Sequence, residues 1–284
     1  MLLGAHFIRF FWPCNYLNST PKNLHEYNNF RQNPSNLQNI INGDINSLRA
    51  SNYNGNRPLV VIVHGWQNNG FTDMNNWLRS AYIDTQDVNV IVVDWGGAAG
   101  GAYNTAAAAV PNVGQVLGNF LVWLINNGGG NWNNVHLMGF SLGAHVVGNA
   151  GRAAGRRCGR ITGLDPAGPQ WGGNSLALNG NDAQYVEAIH TNGHSLGIMD
   201  AIGRTNFYPN GGRNQPGCGA NISCSHGRAN EYMAATIRFN HLDGRLCGNL
   251  QQAQNAVCSG SALRMGNGLN AGIYGLITGS NWPF

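Results

Sequence analysis

The segment from Val135 to His145 contains the residues whose types and spacing most clearly suggest chemistry. It reads as a short apolar strand, then Gly139-Phe-Ser-Leu-Gly143, then a helix. In a G-x-S-x-G turn the serine lies on a sharp strand-to-helix bend, where larger neighbours would collide with the backbone. The helix N-terminus beside Ser141 favours an oxyanion. The pattern predicts a nucleophilic serine for acyl transfer, although 41 glycines make a chance match to the motif alone common.

A nucleophilic serine needs a base, and the base needs an acid that orients it. In α/β hydrolases the acid and then the base follow the serine along the chain. Asp165 is favoured as the acid because it directly follows a predicted strand, which brings its carboxylate to the same sheet edge as Ser141. A turn-forming role is the alternative for Asp165. The weaker candidates for the acid are Asp182, Glu187 and Asp200.

Nine histidines could supply the base. His226 lies in Cys224-Ser-His-Gly-Arg228, which we interpret as a loop fixed by a disulfide and leading into a helix. A histidine held in a loop after the acid is what a general base requires. Spacing alone does not choose between His226 and His194. The histidines that we interpret as structural are His136, His145, His190 and His241.

The elements that must position these residues alternate along the chain. Strands are predicted at 59–63, 88–94, 135–139, 160–164 and 184–190. Helices are predicted at 71–85, at 110–127 with Pro111 opening it, at 142–154 and at 229–238. This order predicts an α/β fold of the α/β-hydrolase type, with a mostly parallel central sheet and helices on both faces. We expect residues 1–284 to form a single catalytic domain, with 1–57 as an irregular N-terminal wrap containing short edge strands.

Composition limits the classes of function and the compartment. Net charge is +4 and only 10% of residues are charged, without a basic, aromatic-interleaved surface for nucleic acid. No run of 18 apolar residues occurs, so we predict no membrane span. Six cysteines without zinc-type spacing, and sequons at Asn18 and Asn221, favour a secreted protein. The first residues, 1–8, are too short and lack the basic start of a convincing signal peptide.

Five motifs in order resemble the pancreatic lipase family, and most closely the short insect and wasp-venom phospholipases A1. The resemblance covers about residues 55 to 260. The motifs are Gly139-Phe-Ser-Leu-Gly-Ala-His145, Gly163-Leu-Asp-Pro-Ala-Gly-Pro169, Ile189-His-Thr191, Phe207-Tyr-Pro-Asn-Gly-Gly212 and Cys224-Ser-His226.

The resemblance implies a catalytic triad of Ser141, Asp165 and His226, and so selects His226 over His194. It also implies an oxyanion hole formed by the backbone N–H groups of Trp66 and Leu142. Ester hydrolysis by this route needs no metal or organic cofactor, so we predict none. Calcium is not predicted, because Asp182 alone matches a position near a calcium site in some relatives.

The family pattern also implies the disulfides Cys218–Cys224 and Cys247–Cys258. Wasp-venom members pair an N-terminal cysteine like Cys14 with a cysteine at a place that here reads Ala98-Ala-Gly-Gly101. Because that partner is missing, Cys158 is left as a possible partner of Cys14.

Two differences between this sequence and the digestive members of the family determine which substrate we expect. Digestive members have a long lid between two cysteines and a C-terminal β-sandwich domain, whereas here Cys218 and Cys224 enclose five residues and we expect no β-sandwich. We therefore expect a monomeric phospholipase A1 that acts on phospholipid at a membrane or micelle surface and releases the sn-1 fatty acid. The alternative is a triacylglycerol or galactolipid lipase with the same triad. A catalytically silent lipid-binding protein, like insect yolk proteins, is disfavoured by the intact triad.

Overall fold

The computed structural model describes residues 6–11, as backbone only, and 38–284. In this part of the chain eleven strands form one sheet. The strands are β1 His6–Phe11, β2 Gln38–Asn39, β3 Leu59–Val63, β4 Asn89–Asp94, β5 Val135–Phe140, β6 Arg160–Leu164, β7 Tyr185–Ile189, β8 Thr205–Pro209, β9 Asp243–Cys247, β10 Ala262–Arg264 and β11 Gly272–Leu276.

Helices connect the strands. They are α1 Ile45–Arg49, α2 Asp73–Thr85, α3 Gly96–Ala99, α4 Tyr103–Gly128, α5 Leu142–Ala153, α6 Ile222–Phe239 and α7 Leu250–Gln254, with short 3₁₀ turns at Trp132–Asn134 and Asn210–Gly212.

The sheet is mostly parallel, as the alternating pattern predicted. Its order is β10-β9-β11-β8-β7-β6-β5-β3-β4-β1-β2. Only the pairings of β9 with β10 and with β11 are antiparallel among the described strands. Parallel strands need crossover connections, and helices supply several of them on both faces of the sheet, whereas β6 to β7 and β7 to β8 are connected by loops. The architecture is that of an α/β hydrolase, with β5 near the centre of the sheet.

Both faces of the sheet are buried, and β3 shows this most clearly, because all five of its residues are apolar and buried. On β3, Val61 and Val63 pack with α4 and α5 in one core cluster. Val60 and Ile62 point the other way and pack with α2 and α6 in a second cluster. The alternation follows from the two-residue period of a strand. Within the segment 1–57, β1 and β2 extend the sheet beyond β4.

Helix α4 begins earlier than the sequence pattern predicted. We placed its start at Val110 with Pro111 as the opening residue, but the helix begins at Tyr103 and contains Pro111. Proline gives no N–H to the carbonyl four residues before it, and this normally breaks a helix. Here alanine, the best helix former, fills 106–109, and Ala106, Ala107 and Val110 are buried against the core. Packing therefore outweighs the lost hydrogen bond.

Among the described helices, α4 is long and apolar enough to cross a membrane by length and composition alone. Core helices pass the same test when their apolar face is buried. Val113, Leu117 and Phe120 are buried in the core cluster that α4 shares with α5, so the packing is that of a core helix.

Two glycines let α4 lie very close to α5, the helix that follows Ser141. A Cβ on Gly118 would stand 2.5 Å from the Cβ of Ala153 and 2.6 Å from the carbonyl oxygen of Ala150. A Cβ on Gly114 would overlap Asn149. The close approach fixes α5 against the sheet.

We expect Gly118→Ala to destabilise the fold by about 1–3 kcal/mol, because overpacking here meets backbone as well as a side chain. Gly97→Ala is the matched control, since no atom lies within 4 Å of its added Cβ. Its free energy of unfolding should stay unchanged or rise by up to about 1 kcal/mol. Chemical unfolding followed by circular dichroism measures both, and equal stability of the two variants would contradict the packing argument.

Candidate active site

Ser141 lies on the bend between β5 and α5, in a backbone conformation that few side chains adopt. Its φ and ψ are 56° and −122°, and such strain persists only where surrounding structure enforces it. The flanking glycines permit the bend. A Cβ on Gly139 would overlap the carbonyl of Gly143, and a Cβ on Gly143 would stand 2.5 Å from the carbonyl oxygen of His64. The geometry is that of the predicted nucleophile elbow.

A backbone segment after β3 packs directly against this bend. A Cβ on Gly65 would lie 2.9 Å from the Cβ of Ser141. The next residue, Trp66, and Leu142 at the start of α5 carry the two N–H groups predicted to bind an oxyanion. Leu142 is the first residue of a helix, so its N–H has no partner within the helix. Both residues flank Ser141, as an oxyanion hole requires.

The conformation of this segment is held by a buried pair, His64 and Trp95. The backbone N–H of Trp95 donates to Nε2 of His64 at 3.1 Å, so Nδ1 carries the ring proton and donates to the carbonyl of Gly65 at 2.9 Å. The indole N–H of Trp95 donates to the carbonyl of His64 at 2.7 Å. The two rings stack with centroids 5.7 Å apart.

Asp165 and His226 meet although 61 positions separate them. Nδ1 of His226 donates to Oδ2 of Asp165 at 2.5 Å. The other carboxylate oxygen, Oδ1, accepts the backbone N–H groups of Thr191 at 2.7 Å and Asn192 at 3.0 Å. Asp165 is fully buried. The carboxylate is thus oriented by two amides and holds the histidine ring in one tautomer.

His226 belongs to a helix rather than to a loop, which corrects the sequence interpretation. We predicted a helix from Ala229, but α6 begins at Ile222. Asn221 caps it, because its Oδ1 accepts the N–H of Cys224 at 3.0 Å. The pattern missed this first turn because it contains few apolar residues. The consequence is a more rigid support for the base.

Ser141 and His226 line the same cavity, whose volume is about 800 Å³. No hydrogen bond joins the hydroxyl of Ser141 to the ring of His226, although both residues are described; such contacts often tighten only when substrate binds. The apolar part of the wall includes Met74, Trp77 and Ile222. Trp77 and Ile222 are also 44% and 48% exposed, so the apolar surface continues to the mouth.

The weaker candidates for the acid do not line the cavity, and two of them form ion pairs with arginines. Asp182 forms an ion pair with Arg152, Oδ1 to Nε at 2.7 Å. Glu187 pairs with Arg160 at 2.9 Å and is buried. Neither Asp182 nor Glu187 lines the cavity, and Asp200 does not line it either.

The alternative base and the four histidines predicted to be structural do not line the cavity. His194, the alternative base, is exposed and does not line the cavity. His145 lies beneath the elbow, where Nε2 donates to the carbonyl of Ala167 at 2.9 Å and Nδ1 accepts the N–H of Leu178 at 3.1 Å. The remaining three, His136, His190 and His241, hydrogen-bond to structural partners.

Two cysteine pairs are bonded as the family pattern implied. Cys218 joins Cys224, and Cys247 joins Cys258. The possible bridge between Cys14 and Cys158 is not formed, because Cys158 is a buried free thiol. Cys14 itself lies outside the described residues.

The predicted glycosylation sites differ in what the structure describes. Asn18 lies outside the described residues. Asn221 is exposed, and the cap uses only its Oδ1. In the part of the chain that the structure describes, no three His, Cys, Asp or Glu side chains converge to hold a metal ion.

The groups that orient Asp165 are not predictable from residue types. The two donors are backbone amides of Thr191 and Asn192, and an amide carries no signal of residue type. The motif Ile189-His-Thr191 marked the right segment without showing its role. The pair His64–Trp95 was also not predicted, although a histidine directly after the apolar run of β3 could have suggested a buried hydrogen bond.

The chain is similar to members of one known protein family. The profile of the family described as Lipase matches residues 18–267. Hepatic triacylglycerol lipase of Rattus norvegicus is 38% identical over 248 residues, covering 75% of this chain and 49% of the relative. Pancreatic lipase-related protein 2 of Cavia porcellus is 35% identical over 240 residues, covering 79% of this chain and 54% of the relative.

Pancreatic triacylglycerol lipase of Myocastor coypus is 38% identical over 202 residues, covering 67% of this chain and 43% of the relative. The chain thus spans about half the length of the curated relatives it matches. A solved lipase-esterase related protein from Clostridium acetobutylicum ATCC 824 is 20% identical with a TM-score of 0.28 over 40% of this chain and 44% of that chain, too weak a likeness to bear on the fold.

If Asp165 orients the base, Asp165→Asn should lower kcat roughly 10⁴-fold while leaving the fold intact, because an amide favours the wrong tautomer of the histidine. Asp182→Asn is the matched control. It weakens the ion pair with Arg152, so it should reduce stability and leave kcat within a few-fold. Hydrolysis of a soluble short-chain ester measures both, and a crippling Asp182→Asn with a mild Asp165→Asn would reverse the assignment.

Acid should destabilise the protein through buried neutral histidines. Burial lowers the pKa of His145 from 6.5 to about 4, and it also lowers the pKa of His136 and His190. Below pH 6.5 these histidines are therefore protonated in the unfolded chain but stay neutral in the folded chain. The free energy of unfolding should fall between pH 6.5 and 4, by up to about 1.4 kcal/mol per pH unit for each ring.

The variant His145→Gln should be less stable at pH 7 but should lose less stability on acidification, since its side chain does not titrate. Urea unfolding at pH 7, 5.5 and 4.5 measures the two slopes. An unchanged slope would show that His145 does not contribute.

Proposed function

Because this chain belongs to the pancreatic lipase family, we propose that it is a serine ester hydrolase that releases the sn-1 fatty acid from phospholipids. The observation that carries the reaction type is the pair Asp165–His226, held beside Ser141 in one cavity. The substrate follows from how open that cavity is to water.

In the proposed mechanism His226 takes the proton of Ser141 as Oγ attacks the ester carbonyl. Asp165 stabilises the imidazolium that forms, and the N–H groups of Trp66 and Leu142 hold the tetrahedral oxyanion. His226 then gives its proton to the leaving alcohol. Water, activated by the same ring, releases the fatty acid and regenerates Ser141.

The short segment between Cys218 and Cys224 supports a polar substrate. The Cα atoms of the two cysteines are 5.5 Å apart, and Asn221 N donates back to the carbonyl of Cys218 at 3.0 Å. The segment is therefore a tight turn that leads into α6. A chain reaches at most about 3.6 Å per residue and this one must return, so it does not span the cavity mouth.

The neighbouring loop after β7 is also held down. Ile198 N donates to the carbonyl of Pro166, and Gly193 N donates to the carbonyl of Gly212, both at 2.8 Å. Leu196 in this loop lines the cavity. The loop thus shapes the wall without closing it, which leaves room for a charged head group in water.

Apolar residues in the same cavity support binding of the acyl chain. Met74 and Trp77 from α2 line it together with Phe140 and Ile222. An acyl chain along this wall would leave water, at about 25 cal/mol per Å² of apolar surface buried. The head group would remain at the open mouth.

A triacylglycerol lipase is the second candidate, since the rat and coypu relatives carry that name. The same catalytic residues would serve either substrate, and so would the apolar wall. We favour phospholipid because the structure offers no long lid over Ser141 in its described part.

The proposed site of action is a membrane or micelle surface outside the cell. Two disulfides support an oxidising compartment. Under this proposal the enzyme works as a monomer.

We expect release of palmitate, and not oleate, from 1-palmitoyl-2-oleoyl phosphatidylcholine, because only the sn-1 ester is cleaved. Long-chain triglyceride should be hydrolysed weakly or not at all. The rate should not rise sharply when substrate passes from monomers to aggregates, since no lid has to open. Analysis of the released fatty acids by mass spectrometry measures the first result, and titration of released acid measures the others.

Ser141→Ala is the control, because it keeps the cavity and removes the nucleophile. A triglyceride rate comparable to the phospholipid rate, or a strong jump at the interface, would favour the triacylglycerol lipase. Oleate as the main product would contradict sn-1 cleavage.

A further inference from the structure

We propose that Gln215 is a positioning residue that fixes the acid and the base of the site relative to each other. This role rests on the proposed function, since it concerns the pair Asp165–His226. Gln215 does not line the cavity. It acts through the two backbone segments that carry the donors of Asp165 and the ring of His226.

The side-chain amide of Gln215 uses all four of its hydrogen-bonding positions. Its Nε2 donates to the carbonyl oxygens of Thr191 and Pro209, both at 3.0 Å. Its Oε1 accepts the hydroxyl of Tyr232 at 2.9 Å and the amide of Asn210 at 2.9 Å. The residue is 3% exposed. A buried amide satisfied on every side has one orientation, because any rotation breaks several bonds.

The first connection leads to the acid. Gln215 holds the carbonyl of Thr191, and the N–H of the same residue donates to Oδ1 of Asp165 at 2.7 Å. The hydroxyl of Thr191 donates to the backbone carbonyl of His226 at 3.3 Å. Thr191 is therefore the residue through which Gln215 reaches both members of the pair.

The second connection leads to the base. The backbone N–H of Gln215 donates to Oγ of Ser225 at 3.1 Å. Ser225 immediately precedes His226 on α6. Since Gln215 is tied to Thr191 by its side chain and to Ser225 by its main chain, it links the segment that orients the carboxylate to the helix that carries the imidazole.

Gln215 is itself held in place by Tyr232 and Asn210, which are bonded in turn to Thr278. Tyr232 and Asn210, which bond its Oε1, both also bond Oγ of Thr278, at 2.7 Å and 2.8 Å. Thr278 follows β11, so these bonds tie α6 to the segment after that strand. Gln215, Tyr232, Asn210 and Thr278 do not line the cavity that contains Ser141.

This arrangement fixes the positions of Asp165 and His226 relative to each other. A displacement of about 1 Å in a catalytic group costs on the order of 100-fold in rate, and the bond between His226 and Asp165 is short at 2.5 Å. A merely stabilising amide would affect unfolding alone. A positioning amide must also affect this bond and kcat.

The test is Gln215→Met, which keeps the size of the side chain and removes its four bonds. We expect the downfield proton resonance of His226 Nδ1, which reports its hydrogen bond to the carboxylate of Asp165, to move upfield or broaden. On a soluble short-chain ester kcat should fall roughly 10- to 100-fold, with KM nearly unchanged because no cavity residue is altered.

Asn206→Leu is the matched control. Asn206 is a second buried amide, 2% exposed, and its side chain bonds Gly203 and His190 instead. It should lose comparable stability while keeping the resonance and kcat. Ser225→Ala, a smaller change, covers the case in which Gln215→Met does not fold, and it should lower kcat several-fold with the same spectral change.

A Gln215→Met variant that keeps the resonance and a kcat within two-fold of the parent would overturn the proposal. So would an Asn206→Leu variant that loses both at equal stability, or a Ser225→Ala variant without effect. The resonance needs no turnover, so it decides the role of Gln215 even if the parent protein hydrolyses no ester, a result that would refute the proposed function instead.

Discussion

The structure depends on a close approach of backbones around the strained turn at Ser141. Three glycines make it possible: Gly65, Gly139 and Gly143 each stand where a Cβ would meet main-chain atoms of the turn or of β3. Because the segment after β3 contacts the turn directly, Trp66 and Leu142 flank the serine, and the side chains of His64 and Trp95 hold that segment in place. The rest of the fold holds this contact, with α5 pressed to the sheet by α4.

The proposed acid and base come from other elements, which bring Asp165 and His226 together near the turn. Asp165 follows β6, and its carboxylate is oriented by amides that follow β7. His226 arrives on α6, from the opposite face to α5. Each part is carried by a different element, so their mutual geometry depends on the buried polar network around Gln215. Buried amides of this kind stabilise only when fully bonded, and this one is.

The proposed phospholipid activity rests on how open the cavity is to water. The wall is apolar where an acyl chain would lie and open where a head group would stand. The turn between Cys218 and Cys224 is exposed and leads into α6. The disulfide therefore stabilises the start of the helix that carries His226 and does not hold a lid over the cavity. The same half-exposed residues, Trp77 and Ile222, suit contact with a lipid surface.

Local patterns alone predicted the strand–turn–helix at Ser141, the alternating strands and helices of the central sheet, and Asp165 as the favoured acid, because glycine spacing and apolar periodicity are written in neighbouring residues. Spacing left His226 and His194 equal, and the family resemblance chose between them. Only the tertiary structure decided that Pro111 lies inside α4 and that His226 lies on a helix, because packing of a buried face overrides local preference. It alone showed the amides on Asp165 and the bonds of Gln215, since a backbone N–H has no residue type and its partner lies far away in sequence.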